Sequence, residues 1–177
     1  MPPVIISASC RQSSARARGS ATLGRITVAR AHTPPGGWHG AMPPPVLGAA
    51  CAGPDAGLPD LRGLWQAFAV EVDGFPAEGA SHVERIEQSG NRVVITSGGV
   101  IHDMDCDGTL ENGVNDVAAF TYKPIRVAAT WEDGRLVLRP DNAFVAVTRH
   151  LEGDVLVWNL LPFKRITRMR RVDTYHP

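Results

Sequence analysis

Between Leu61 and Arg171, short stretches rich in Val, Ile, Leu and Trp alternate with polar turns of two or three residues. Ser89-Gly90-Asn91, Asp133-Gly134 and Glu152-Gly153-Asp154 each separate two runs able to pair back on one another, the local pattern of antiparallel hairpins. The pattern predicts strands near Leu64–Val72, His82–Gln88, Arg92–Ser97, Val100–Met104, Asn115–Tyr122, Ile125–Glu132, Leu136–Arg139, Ala143–His150, Val155–Leu160 and Phe163–Arg170. Two runs show the period of two most clearly. Ile125, Val127, Ala129 and Trp131 share one face, with Arg126, Ala128, Thr130 and Glu132 on the other; Leu156, Trp158 and Leu160 also share a face. No segment carries the period of a long amphipathic helix. Residues 73–81 are loop by composition, Ser97-Gly98-Gly99 marks a bend or bulge, and Glu111–Asp116 is a polar turn entering a strand.

Ten short strands in an open sheet would leave two exposed edges, and rolling the sheet into a barrel removes them. The connections are short, as an up-and-down barrel requires. A two-sheet sandwich competes, but its longer crossovers would fit only 73–81 and 105–114. The expected fold is all-β: a single antiparallel up-and-down meander barrel of about 8–10 strands, spanning residues 59–173.

Residues 1–58 differ in kind. They hold Pro2-Pro3, Pro34-Pro35-Gly36-Gly37 and Pro43-Pro44-Pro45, the first acidic residue is Asp55, and five arginines stand unopposed. Such a segment is expected to be largely disordered or loosely draped. Three readings stay open: a targeting segment, a functional basic arm, and a chain whose working start is Met42.

Composition narrows the partners. The chain has 177 residues, 44% hydrophobic and 20% charged, with zero formal net charge, which gives no electrostatic case for nucleic acid. No apolar run approaches the ~20 residues that cross a bilayer as a helix. Cys10, Cys51 and Cys106 are too dispersed for a disulfide framework or a Cys-based zinc site. The expected location is therefore cytoplasmic.

Gly63-Leu64-Trp65, the meander behind it and the basic stretch Lys164 to Arg171 together resemble the calycin-like barrels, the lipocalins and the fatty-acid-binding group. The resemblance spans residues 61–171. It implies that Trp65, next to Gly63, closes the barrel floor and that an arginine of the last strand, Arg168 or Arg170, lies across its indole. Such a cation–π contact is worth ~0.5–2 kcal/mol. It also implies a small apolar ligand, with haem binding or catalysis in a minority of members. A Thr-Asp-Tyr motif, a disulfide pair and a helical lid between the first two strands have no counterpart here.

Candidate chemistry follows from this frame. Tyr122, Trp131 and Trp158 are the aromatics placed near a cavity. Arg149, His150 and Arg168 could hold an acidic headgroup, because guanidinium matches carboxylate; His102 could join them. Core packing, or a solvated or paired side chain, is the simpler account of each. His82, His102 and His150 could meet inside a barrel, though their spacing does not decide it. Asp103, Asp105, Asp107 and Gly108 match the first half of a calcium loop, but position twelve is Val114 where a bidentate Glu belongs. No metal or cofactor is expected. The leading expectation is a non-enzymatic binding barrel for a small apolar or amphipathic molecule. The alternatives are an isomerase, cyclase or hydratase using His102 with Asp103 or Asp105 as an acid–base pair, and a solidly packed interaction module.

Overall fold

A computed structural model describes residues 28–173. Its strands are β1 (Gly53–Pro54), β2 (Gly63–Val72), β3 (Phe75–Pro76), β4 (Val83–Gly90), β5 (Arg92–Ser97), β6 (Val100–Asp105), β7 (Val114–Val117), β8 (Pro124–Glu132), β9 (Arg135–Pro140), β10 (Val147–Glu152), β11 (Val155–Leu160) and β12 (Arg165–Val172). Ten of them form one meander in the order β6-β5-β4-β2-β12-β11-β10-β9-β8-β7, with β1 beside β4 and β3 beside β2. The first long strand, β2, pairs antiparallel with the last, β12, so the ribbon returns on itself. Only β6 and β7, its two ends, share no ladder. The result is the expected all-β barrel, closed except for one seam.

The turns show why the chain reverses where it does. Asp133 and Gly134 have φ of 47° and 72°, the two positive values a tight hairpin turn requires. Gly98 and Gly99, at 54° and 84°, make a second such turn between β5 and β6. Two strands are shorter than their sequence suggests, and a third begins two residues later. Phe120 and Tyr122 have φ of 66° and 51°, so the run from Asn115 leaves the strand after Val117. Asp141 and Asn142, at 47° and 55°, delay β10 until Val147. Leu161–Phe163 form a 3-10 turn, and Lys164 (φ 46°) precedes β12.

The core lies inside the barrel. Ile125, Val127, Ala129 and Trp131 of β8, and Leu156 and Trp158 of β11, pack there as their alternation indicates, against Ile86, Val93, Met104, Leu136 and Met169. Each fully buried Leu or Ile contributes roughly 1.5–3 kcal/mol. Alternate connections of a meander fall at the same end. At one end, Phe75, Phe120, Phe144, Leu161 and Phe163 stand exposed on those connections.

The other end is the floor. Trp65 is 1% exposed, and its Nε1 donates to Leu61 O at 2.8 Å. The cation over its ring is Arg171, 4.7 Å from the centroid, and neither Arg168 nor Arg170. The reason is parity. Thr167, Met169 and Arg171 share the inward face of β12, so Arg168 points out to pair with Glu71 and Arg170 is exposed. At Gly63, with φ 146°, a Cβ would lie 3.0 Å from Arg171 Nε.

From Val28 to Cys51 the chain is laid against the outer face of β4–β6, contrary to the expectation of a loose segment. The carboxylate of Glu87 accepts the backbone N–H groups of Val46 (2.9 Å), Leu47 (2.9 Å) and Gly48 (3.2 Å). Leu47 packs on Val94 and Ile101. Trp38 N donates to Gly99 O at 2.9 Å. The Tyr122 ring lies over Gly37 and Gly99, where a Cβ would approach it to 2.4 and 2.6 Å. Readings that fall on residues 1–27 lie outside the described residues. Cys51 is disulfide-bonded, although the cysteines are too dispersed in the sequence to suggest a disulfide framework. No described helix is long and apolar enough to cross a membrane.

Candidate functional site

Residues directly opposed across strands share a face of the sheet. Trp131 opposes Leu136, Leu136 opposes Arg149, Arg149 opposes Trp158, and Trp158 opposes Thr167. This row runs from β8 to β12 along the inner wall and places a guanidinium among aromatic and apolar side chains. Arg149 Nε and Nη2 donate to Glu84 Oε1 and Oε2, both at 3.0 Å. Glu84 stands on β4, with β2, β12 and β11 between it and β10 in the sheet. The ion pair therefore crosses the lumen.

Burial alone would push the Glu84 carboxyl up. Arg149 and His82 outweigh burial and hold it at about 2. The His82 ring stacks on Trp158 with centroids 4.8 Å apart, and the Arg149 guanidinium carbon lies 5.3 Å from the Trp158 centroid. His82 Nε2 is 3.3 Å from Ser97 Oγ and 3.5 Å from Glu84 Oε2. Both neighbours meet the same ring nitrogen. A nucleophile–base–acid relay needs one on each nitrogen, so this trio is not one.

Three atoms of the row have no hydrogen-bond partner among the described residues: Trp131 Nε1, Trp158 Nε1 and Thr167 Oγ1. Leaving a polar atom buried and unpaired costs about 1–3 kcal/mol. Native interiors hold few such atoms, and three on one row call for a functional account.

The sequence-derived residues divide between the two faces. Trp131 and Trp158 face the lumen. So does His102, which opposes the core residue Ile95 and whose Nε2 lies 2.9 Å from Val117 O. Burial pushes its pKa below the ordinary 6.5. Tyr122 lies outside over the two glycines, and Arg168 is outside with Glu71. His150 is outside too, because Arg149 before it points inward; its Nε2 is 3.3 Å from Glu152.

The acid–base pair of His102 with Asp103 or Asp105 does not form. Successive strand residues face opposite ways, and Asp103 takes Arg92 at 2.8 and 2.6 Å and Arg30 at 3.1 Å on the outer face. Asp105 pairs with Arg30 there. Asp107 is occupied by Thr109 and Asn112 in its own turn, so the three aspartates do not converge on a common point. Glu84, Ser97 and Thr167 were missed. Their signal was parity: Glu84 alternates with Ile86, and Thr167 with Met169, so each is a polar residue on an apolar face.

The seam between β6 and β7 lies beside this row. Asp105 N donates to Asn112 O at 2.8 Å near one end, and His102 meets Val117 near the other. Residues 30–33 lie across it. Ala31 N donates to Asp103 (2.9 Å), Thr33 N to Asp116 (2.9 Å), and Ile101 N to Thr33 Oγ1 (2.9 Å). A cleft of about 90 Å³ separates this segment from β7. Just past β6, Cys106 is free and buried; burial, with Asp105 and Asp107 adding, pushes its thiol up to about 12.

No family model and no curated protein matches the sequence. Among solved structures, human cRBP IV, a cellular retinol-binding protein of the calycin and fatty-acid-binding group, is similar to this chain: 16% identical, TM-score 0.45, covering 64% of this chain and 99% of its own.

Proposed function

We propose that the barrel binds one small amphipathic molecule in its lumen, with the polar end at the Trp131–Thr167 row and the apolar part among Leu136, Leu156, Met104 and Met169. The observation that carries this reading is the set of three unpartnered polar atoms on one buried row. Indole N–H groups only donate, and a guanidinium has five N–H donors, of which the Glu84 bonds take two. The row is therefore rich in donors. It favours a ligand group that accepts hydrogen bonds, a carbonyl or a carboxylate. A cavity of apolar lining with a few orienting polar groups is the usual make-up of a small-molecule site, and the protein's role is to take the ligand out of water.

Titration of the full chain with 1-anilinonaphthalene-8-sulfonate tests the reading, since this probe joins an apolar ring system to an acceptor group. One saturable site, with quenching of tryptophan fluorescence, is expected. The W158F/T167V variant removes one donor and one hydroxyl and is expected to weaken binding about tenfold. Absence of saturable binding, or unchanged affinity in the variant, would overturn it.

A further inference from the structure

We propose that residues 30–33 are a removable bolt across the β6–β7 seam, and that lifting it admits molecules to the lumen. The claim that these molecules include the ligand rests on the binding reading above; the claim that the bolt guards the interior does not.

Elsewhere the barrel wall is a continuous hydrogen-bonded ladder. The floor is shut by Leu61, Trp65 and Arg171, and the Arg149–Glu84 pair bars the lumen. The seam is the one line along which the wall opens without breaking a ladder. Among the described residues, the bonds across it besides the bolt are Asp105 N to Asn112 O, the His102 contact with Val117 O and, beyond the end of β7, Gly108 N to Ala129 O beside the Asp107–Thr130 bridge to β8.

The bolt holds both sides at once. On β6 it grips Asp103, Asp105 and Ile101; on β7 it grips Asp116. Its grip is light. The Arg30 side chain is 33% exposed and that of Asp105 is 40% exposed, so water competes for their pairing. The bonds to Asp103 and Asp116, 0% and 8% exposed, are better shielded, but the segment joins no ladder and so opens at lower cost than the domain unfolds. Directly behind it lie His102 on the inner face and the buried Cys106.

The full chain carrying R30A/T33V tests this with two readouts. The first is the rate of Cys106 alkylation by iodoacetamide, read by mass spectrometry of the labelled peptide. The second is the association rate of 1-anilinonaphthalene-8-sulfonate. Both are expected to rise about tenfold or more, with the urea midpoint little changed. Wild-type labelling of Cys106 in the variant would overturn the bolt. Faster labelling with unchanged probe association would overturn the seam as the route of access. Should the wild-type chain bind no probe, the binding reading fails and the labelling arm alone decides the bolt. If R30A/T33V does not fold, T33V alone is scored the same way.

Discussion

The β2–β12 join and the β6–β7 join close one barrel by opposite means. At β2–β12 the backbone pairs from Arg165 with Val72 to Val172 with Leu64, interrupted by one bulge where Phe68 is the extra residue. Each of those bonds exists whatever the side chains are. At β6–β7 one backbone bond, Asp105 N to Asn112 O, is joined by contacts that run through the side chains of His102, Arg30, Thr33, Asp103 and Asp116. Closure by ladder is permanent and indifferent to sequence. Closure by side chains is specific, and single substitutions can undo it.

The largest expected effect comes from the bar that ties the two sides of the seam through the lumen. Glu84 belongs to the half of the sheet ending in β6, and Arg149 to the half ending in β7. Removing Glu84 leaves Arg149 buried without its carboxylate, and removing Arg149 leaves the buried Glu84 with His82 alone. E84Q or R149M alone is expected to cost about 3–5 kcal/mol in urea denaturation, whereas E84L/R149M together approach neutrality. Costs that simply add in the double variant would show that the two groups do not act as a pair.

Acid sharpens the contrast next, because the seam and the bar titrate in different windows. His102 has its folded pKa lowered by burial, so the opened chain takes up the proton more readily. Its contribution is complete above pH 6.5 and is lost as pH falls through the lowered value. Glu84, held at about 2 against an ordinary 4.5, contributes fully above pH 4.5 and fades towards pH 2. Hydrogen exchange is therefore expected to quicken first in β6 and β7 as pH drops below 6.5, while β2 and β12 stay protected until pH falls below 4.5. Simultaneous loss of protection in both joins would contradict the division.

How much of this the sequence disclosed follows the same line. The hairpins and the faces of β8 and β11 were legible because they rest on local alternation and turn chemistry. The layer from Val28 to Cys51 was not, since Glu87 binds backbone N–H groups about forty residues away and composition carries no trace of that. The lumenal ion pair was half legible. Arg149 sits between Val147 and Leu151 on an inward face, but nothing local pairs it with Glu84. The acid–base pair failed on a rule the sequence did contain: His102 and Asp103 are neighbours in a strand and cannot face the same way.

The smallest expected effect separates the arginines of β12. Arg171 alone lies over Trp65, so R171A removes the cation–π contact and is expected to cost about 0.5–2 kcal/mol, with a change in the buried tryptophan's emission. R170A removes an exposed side chain and is expected to leave both unchanged. R168A breaks an outer pair with Glu71 whose partners are each about one-third exposed, 32% and 35%; screening reduces its cost to about 0–1 kcal/mol, without a spectral change. The emission decides between them, because only a group touching the indole moves it. A shift in R168A or R170A instead of R171A would return the floor to the residues the sequence first suggested and would mean that the inward parity of β12 begins one residue off.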